Sequence, residues 1–224
     1  MNKETLLAFL QKHRGLCKAL FALHNRIPFV NRWRQAPETH LGLSLLKGCR
    51  FSGGKGNTLV VGDFARLNGC HFHFEGTGNK VLIGDRCLCD QTEFWIEGSG
   101  NTITLGEHTA LCGKSQLAAL EGTEITIGRG CLFADSLKLR TGDSHSLLDR
   151  ATRQRVNPAA SITIGDHVWI GTNVTILKST RVADNCMIGA CALLSGQYET
   201  PNCVLAGVPA KQVREGIDWT SALI

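Results

Sequence analysis

Along much of this chain, an aliphatic residue followed by glycine recurs at one fixed interval. The segments GNTLVVGD, GNKVLIGD, GNTITLGE and GTEITIGR align without gaps. Their aliphatic residues lie 22 positions apart, at Val61, Ile83, Leu105 and Ile127. The next copy of the pattern, AASITIGD, reaches its aliphatic residue, Ile164, 37 positions later. A fixed period of this length predicts a repeat architecture in which each unit stacks on the unit before it.

From Ile164 onward the interval shortens to six residues. Aliphatic side chains stand at Ile164, Ile170, Ile176, Val182, Ile188 and Leu194. Small residues follow four positions later, at Val168, Val174, Thr180, Cys186 and Ala192. A chain that turns a corner every six residues, three times per coil, forms a triangular prism with the aliphatic side chains inside. The pattern therefore predicts an all-β fold of stacked coils.

The 22-residue coils fit the same prism if each carries a four-residue excursion at one corner. The excursions are the segments GKGN, GTGN and GSGN. Glycine-rich loops can cradle phosphates, but these segments recur on the period and precede strands rather than helices. We therefore predict that they are turns, in which glycine tolerates the tight backbone geometry.

The composition includes ten cysteines. Their spacings match neither a disulfide framework nor the ligand pattern of a structural zinc site. Cys87, Cys131 and Cys186 instead occupy the small inward position beside the aliphatic column, where a thiol behaves as a small hydrophobe. The sequence therefore predicts free thiols in a reduced, cytoplasmic protein with no metal site.

The charge balance is mildly basic, with 24 Lys and Arg against 19 Asp and Glu and a net charge of +5. This balance is compatible with an anionic ligand, but it lacks the clustered basic residues of a nucleic-acid-binding protein. No apolar run is long enough for a transmembrane helix, and the N-terminus does not have the pattern of a secretory signal.

The two ends of the chain leave the repeat. Residues 4–24 have helical apolar spacing, which predicts a helix that caps the first coils within an N-terminal region of residues 1–48. Peripheral membrane association stays open for this helix because it carries basic residues. The prism is predicted for residues 49–208. Pro209–Trp219 predicts a turn and a short helix within the C-terminal segment 209–224.

The single break in the rhythm, 37 residues where 22 are due, predicts an inserted loop at about residues 140–160. His145 lies within this loop, and loops on rigid scaffolds are where catalytic groups concentrate. Asp143 or Asp149 could orient the imidazole ring. An ordinary loop carboxylate, in water or in an Asx turn, explains either residue equally well.

The six-residue pattern, the loop segment DSH followed by NP, and the segments IGDHVWIG and VLAGVPAKQVRE resemble the hexapeptide-repeat acyltransferases. Among them, the bacterial capsular O-acetyltransferases that modify polysialic acid are the most similar in pattern. The resemblance implies a left-handed parallel β-helix, a homotrimer, and acetyl-CoA bound in a groove between neighbouring prisms. It also implies that the acetyl acceptor is a hydroxyl group of a capsular or lipopolysaccharide sugar.

The resemblance also implies roles for particular residues. His145 is expected to be the general base of a direct transfer in a ternary complex, and Trp169 is expected to position the acceptor or the thioester. The residues expected to bind the acceptor are Asp143, Ser144, Asn157 and Trp169. Those expected to bind acetyl-CoA are Gly171, Lys178, Ala190, Gly207, Pro209, Lys211 and Arg214. Either the Trp169 indole or a backbone N–H near Gly171 could stabilise the oxyanion.

Two other functions remain compatible with these residues. One is N-acetylation of a nucleotide-linked amino sugar, because an amine acceptor also needs a base to remove its proton. The other is a non-catalytic β-helix scaffold. Whatever the reaction, packing within the trimer remains the alternative role for the outward Trp169.

Overall fold

The chain winds into three sheets that form the sides of a triangular prism. The structure, a computed structural model, describes residue 9, residues 12–27 and residues 29–222. Strands are numbered in chain order, and successive strands belong to successive sides of the prism, called here the first, second and third faces.

The first face contains eight parallel strands. They are β1 (Glu38–Leu41), β4 (Thr58–Val61), β7 (Lys80–Ile83), β10 (Thr102–Leu105), β13 (Glu124–Ile127), β16 (Ile162–Ile164), β19 (Arg181–Val182) and β22 (Gln197–Tyr198).

The second face contains nine strands, of which the last is antiparallel. They are β2 (Leu45–Lys47), β5 (Arg66–Asn68), β8 (Leu88–Asp90), β11 (Ala110–Leu111), β14 (Leu132–Phe133), β17 (Trp169–Ile170), β20 (Met187–Ile188), β23 (Cys203–Gly207) and β24 (Ala210–Glu215).

The third face contains seven parallel strands. They are β3 (Arg50–Ser52), β6 (His71–Phe74), β9 (Thr92–Glu97), β12 (Ser115–Leu120), β15 (Leu137–Arg140), β18 (Thr175–Leu177) and β21 (Leu193–Leu194).

Each strand pairs with the strand of the same face one coil away. The predicted period is therefore the separation in sequence between residues that pair across neighbouring coils. Val61 pairs with Ile83, and Ile83 pairs with Leu105. Ile127 pairs with Ile164 in the same way, although 37 residues separate them. The inserted loop therefore leaves the register of the coils unchanged.

The core is the column of inward side chains that this stacking buries. Phe72 stacks on Phe94 with 4.7 Å between ring centroids, and the predicted inward thiols are buried beside the aliphatic residues. Burial raises the pKa of Cys87 and of Cys131 to about 11. These thiols are therefore protonated near neutral pH and act as small packing groups.

The predicted Gly-Asn turns lie at the corner that joins the third face to the first. Gly78 and Gly100 have φ angles of +71° and +76°, a region that glycine enters at little cost. The buried asparagines that follow form a ladder along this corner. The backbone N–H of Asn79 donates to Asn57 Oδ1 at 2.9 Å, and that of Asn101 donates to Asn79 Oδ1 at 2.8 Å.

Helix α1 (Arg14–Arg26) lies across the N-terminal end of the prism. The side chain of Asn25 donates to Ser44 O and accepts from the backbone N–H of Leu46, both at 2.9 Å, so the helix caps the first coil. Leu20, one of the apolar residues whose spacing predicts this helix, is 54% exposed. Residues 4–8, 10 and 11 of that predicted helix lie outside the described residues. The paired strands begin at Glu38, earlier than the expected boundary at residue 49.

The predicted short helix after Pro209 is wrong. Residues Ala210–Glu215 form strand β24, which pairs antiparallel with β23. β23 is the last parallel strand of the second face, and its outer edge carries backbone groups that need partners. A hairpin supplies those partners, whereas a helix would leave the edge open. Within the described residues, no helix is long and apolar enough to span a membrane.

Candidate active site

The inserted loop joins β15 to β16 and leaves the prism at the corner between the third and first faces. Its central part is a short hairpin, in which Val156 N donates to Leu147 O at 2.9 Å and Leu148 bridges Arg155. His145 lies just before the hairpin, and its side chain is exposed. The structure therefore places His145 in a loop that leaves the coils, as the break in the period predicts.

Asn157 fixes the backbone at His145 and at Leu147, two residues after it. Its side chain is 6% exposed and makes hydrogen bonds at both ends of the amide. Asn157 Nδ2 donates to His145 O at 2.8 Å, and Asn157 Oδ1 accepts from the backbone N–H of Leu147 at 2.6 Å. The segment that presents His145 is thus held by a buried side chain on the returning arm of the loop.

Asp143 connects this arrangement to the next coil. Its Oδ2 accepts from Lys178 Nζ at 2.6 Å and from Asn157 Nδ2 at 2.8 Å. The hydrogen bond from Lys178, followed by that from Asn157, lowers the pKa of the Asp143 carboxyl. Lys178 Nζ also donates to Asn157 O at 3.1 Å. The Lys178 ammonium, which was expected to bind acetyl-CoA, therefore donates its hydrogen bonds to two residues of the loop.

A second set of contacts ties the loop to the preceding coil. Arg155 donates to both carboxylate oxygens of Glu121, at 2.7 and 2.8 Å, and this interaction lowers the pKa of Glu121. Arg140 donates to Ser144 Oγ at 2.9 Å, and Ser144 itself has a φ angle of +61°. The loop is thus attached to the coil below and the coil above.

The two aspartates near His145, Asp143 and Asp149, make different hydrogen bonds. Asp149 Oδ1 accepts from the backbone N–H groups of Ala151 and Thr152, which makes it the cap of the hairpin turn. Asp143 is engaged by Lys178 and Asn157, as described. Among the contacts of the described chain, the imidazole of His145 has no carboxylate partner, so neither aspartate orients it in a single copy.

Trp169 projects outward from β17 on the second face, where it pairs with Leu132 and Met187 and is 37% exposed. The C-terminal tail returns to this place through Trp219. The indole of Trp219 stacks on His167 at 4.2 Å and donates to His167 O at 2.8 Å. No local pattern predicts Trp219 at this place, because its partner His167 lies 52 residues away along the chain.

Several residues expected to bind acetyl-CoA line the corner that joins the second face to the third. Gly171 and Ala190 follow β17 and β20, and Gly207 ends β23 on the next coil. A Cβ atom on Gly171 would lie 2.8 Å from Ala190 N, so coil stacking already requires glycine there. The backbone N–H of Gly171 donates to Ile188 O at 2.8 Å and is therefore not available to an oxyanion.

The last hairpin continues this corner. Pro209 lies in its exposed turn, while Lys211 and Arg214 are exposed on β24. Neither cation forms an ion pair with a carboxylate of the described chain. They remain available to an anionic ligand, in contrast to Lys178.

The structure thus gathers the expected site residues into two groups. His145, Asp143, Ser144 and Asn157 lie at the corner between the third and first faces, together with Lys178. The Trp169 group lies on the second face and its corner with the third. In a triangular cross-section, the corner between the third and first faces lies opposite the second face. One copy of the chain therefore does not bring His145 and Trp169 together.

Comparison with known proteins connects this architecture to a family. Residues 161–196 match the family model described as bacterial transferase hexapeptide (six repeats). A polysialic acid O-acetyltransferase from Neisseria meningitidis is 29% identical over 107 residues, which are 48% of this chain and 50% of that protein. One from Escherichia coli O1:K1 / APEC is 32% identical over 95 residues, 42% of this chain and 31% of that protein. The matched part therefore spans half or less of these relatives.

The solved structure of the polysialic acid O-acetyltransferase OatWY superposes with a TM-score of 0.69 at 26% identity. The superposition covers 83% of this chain and 85% of that one. The solved relatives are left-handed β-helices, which is the fold class that the resemblance implied. The chain thus contains a hexapeptide-repeat segment of the bacterial transferase type, and it is similar in sequence and fold to polysialic acid O-acetyltransferases.

Proposed function

We propose that the chain is an acetyl-CoA-dependent O-acetyltransferase that acts on a hydroxyl of a bacterial surface sugar. The observation that carries this proposal is the presentation of His145. The His145 side chain is exposed, while the backbone of His145 and Leu147 is fixed by the buried Asn157. A general base needs both access to the acceptor and a fixed position. The acetyltransferase relatives support the same chemistry.

In this mechanism His145 accepts the proton of the sugar hydroxyl on a ring nitrogen as the hydroxyl oxygen bonds to the acetyl carbonyl carbon. When the carbon–sulfur bond breaks, the protonated ring returns the proton to the departing thiolate. Atoms and charges balance without a covalent enzyme intermediate. The Trp169 indole N–H has no partner in the described chain, which supports it over the engaged Gly171 N–H as the oxyanion donor.

The active unit would be a homotrimer with sites between copies, because one copy separates His145 from Trp169. The second face offers an apolar surface for this contact. Its outward residues in register are Leu88, Ala110, Leu132, Trp169, Met187 and Val204. The loop also exposes Leu147 and Val156, at 62% and 59%. Association would cover both apolar surfaces.

For acetyl-CoA we propose the corner between the second and third faces. Lys211 and Arg214 would contact the phosphates, since their charges are unpaired in the described chain. Ala190, Gly207 and Pro209 would line the path of the pantetheine arm beside Gly171. Lys178 would instead hold the loop through Asp143. The cytoplasmic location expected from the free thiols remains a prediction.

The test is a mass-shift assay with acetyl-CoA and a panel of acceptors. Oligosialic acid represents the acceptor named for the relatives, a neutral oligosaccharide represents other surface sugars, and a UDP-linked amino sugar represents N-acetylation. We expect a mass increase of one acetyl group, removed by mild base, on a glycan hydroxyl. Turnover on the amino sugar alone would establish the N-acetyltransferase instead, and absence of acetyl-CoA binding in calorimetry would favour a scaffold.

His145→Ala is expected to lower kcat by about 10²-fold or more without loss of the trimer, because the base contributes about that factor. The matched control is His108→Asn, at an exposed corner histidine whose φ angle of +61° asparagine tolerates. The control should retain wild-type turnover. Near wild-type kcat in the His145 variant would remove this residue as the base.

A further inference from the structure

Helix α1 carries a row of leucines on a side that does not cap the prism. The capping side presents Cys17 and Asn25, which are 5% and 1% exposed. Leu16, Leu20 and Leu23 are four and three residues apart, so they line up on a different side of the helix. Their side chains are 61%, 54% and 67% exposed. Capping of the first coil thus leaves these three leucines, called here the apolar row, uncovered by the described chain.

The apolar row continues past the end of the helix. Ile27 follows Leu23 by four residues, which places it on the same side, and it is 39% exposed. Two residues further, Phe29 is 99% exposed. Exposed apolar side chains scattered singly are ordinary, but a continuous apolar patch rimmed by polar residues marks contact with a partner or a membrane.

The charge around the apolar row has one sign. Residues 5–37 contain none of the 19 Asp and Glu of the chain, but they contain six of its 24 Lys and Arg. These six are exposed: Lys12, Arg14, Lys18, Arg26, Arg32 and Arg34. Only Arg14 forms an ion pair with a carboxylate of the described residues, through Asp63. The N-terminal end of the prism therefore offers an excess of positive charge.

A cleft of about 850 Å³ lies on one side of α1, between the helix and strands β1 and β4. Lys18 and Arg26 line this cleft without a carboxylate partner in the described chain. Asp63 is the one acidic residue of the lining, and Arg14 pairs with it. Exposed leucines beside free cations are the arrangement with which amphipathic helices bind anionic lipid headgroups.

A second copy of the chain is a poorer partner for the apolar row. A twofold contact would place the same surface of each copy against the other. The cations of residues 12–34 would then face each other, with no acidic side chain in residues 5–37 to separate them. Like charges across an interface are unfavourable. An anionic bilayer instead covers the leucines and neutralises the cations.

We propose that α1 binds the surface of a membrane that contains anionic lipids. The apolar row would lie at the boundary between headgroups and acyl chains, while Lys18 and Arg26 contact lipid phosphates. The helix has 13 residues, so it would lie in the surface rather than cross the bilayer. Because α1 lies across the N-terminal end of the prism, the later coils with His145 would stay in water. This inference does not depend on the proposed acetyl transfer.

The test measures binding of the full protein to vesicles by sedimentation. One set of vesicles contains phosphatidylglycerol and phosphatidylcholine, and the other contains phosphatidylcholine alone. We expect the wild type to bind the anionic vesicles at least about tenfold more tightly than the neutral ones, since each cation near an anionic surface contributes to binding. High salt should release the protein, because it screens these charges.

Leu16→Gln/Leu23→Gln interrupts the apolar row with residues that favour a helix. The matched control is Val208→Gln/Val213→Gln, which changes side chains of similar exposure, 70% and 62%, at the C-terminal hairpin. We expect the row variant to bind anionic vesicles at least about tenfold more weakly, because less apolar area enters the bilayer. The control should bind as the wild type does.

A second pair of variants tests the charges and keeps the apolar row intact. Lys18→Gln/Arg26→Gln should weaken binding to the anionic vesicles about tenfold. Lys55→Gln/Lys80→Gln removes the same charge from exposed positions on and beside the first face, and it should bind as the wild type does. This pair tests the proposal even if the row variant fails to fold.

Failure of the wild type to bind anionic vesicles would overturn the proposal, and so would wild-type binding by both the row variant and the charge variant. A lower oligomeric mass of the row variant without lipid, measured by light scattering, would assign the apolar row to a second copy instead. Sedimentation involves no acetyl transfer, so none of these results decides whether the proposed function is correct.

Discussion

At the scale of single residues, the thiols divide into two classes by access. Cys87 and Cys131 are buried with pKa values raised to about 11, whereas Cys112 and Cys191 are exposed. We expect a maleimide to label Cys112 and Cys191 in the folded protein, and the other described cysteines only after unfolding, because reaction requires an accessible thiolate. Mass spectrometry of labelled peptides measures this, and rapid native labelling of Cys87 would contradict the buried core.

The Asp143 carboxyl offers a test by pH. Lys178 and Asn157 lower its pKa in the folded loop, so its contribution to stability is complete above the ordinary aspartate value of about 3.9. That contribution is lost as the pH falls through the lower value of the folded state. We expect carboxyl NMR titration to place the midpoint below 3.9, and Lys178→Met to raise it toward the ordinary value. An unchanged midpoint in that variant would show that the ion pair is not formed.

The sequence predicted which residues leave the coils but not which partners they meet. The break in the period located His145, and the alternation in HVWIG turned Trp169 outward. The contact of Asp143 with Lys178 joins residues 35 positions apart on neighbouring coils. Such a contact depends on how far the loop folds back over the next coil, which periodicity does not encode. Because periodicity does not encode this contact, the sequence predicts an acetyl-CoA contact for Lys178 and not the ion pair with Asp143.

At the scale of elements, the asparagine ladder stabilises the corner between the third and first faces. Asn101 Oδ1 accepts from the backbone N–H groups of Gly122 and Thr123, at 2.9 and 3.1 Å. Asn101→Ala would remove these part-buried hydrogen bonds together with the one between the Asn101 and Asn79 amides, so we expect the free energy of unfolding to fall by about 1–3 kcal/mol. Chemical denaturation measures the change.

The control for the ladder is Asn68→Ala, an exposed amide whose contact is a surface hydrogen bond to Asp90. Its expected cost is about 0.5 kcal/mol, as for most surface substitutions. If both variants lost the same small amount, the ladder would contribute no more than a surface contact.

The strands on the period were predictable, whereas the C-terminal hairpin was not. The pairing of Ile83 with Leu105 and of Ile127 with Ile164 follows from spacing alone. The last hairpin follows instead from the open edge of β23, a property of the assembled sheet that no local pattern in Pro209–Trp219 records. Helix α1 was predicted, but the face it turns toward the first coil is set by Asn25.

At the scale of the whole molecule, the proposed sites between copies predict complementation. His145→Ala and Trp169→Ala should each inactivate a trimer. In mixed trimers of the two variants at equal amounts, about one site in four would combine an intact His145 from one copy with an intact Trp169 from its neighbour. We therefore expect co-expression to restore about a quarter of wild-type activity.

The matched control for complementation mixes the two purified homotrimers without exchange of subunits, which should leave the sample inactive. Restored activity in that sample would point to residual turnover of one variant. If the co-expressed mixture were also inactive although mixed trimers formed, both groups would act within one copy, against the separation seen across the prism.

The corner between the third and first faces has one more consequence, which concerns how such a protein can change. Ile127 and Ile164 stack as directly as Ile83 and Leu105 do, so the length of chain at this corner is independent of the stacking above and below it. A segment between Thr141 and Ser161 can be exchanged as a cassette while the coils keep their register. Under the proposed function, loops that keep His145 but differ around it would change the acceptor while the coils fold as before.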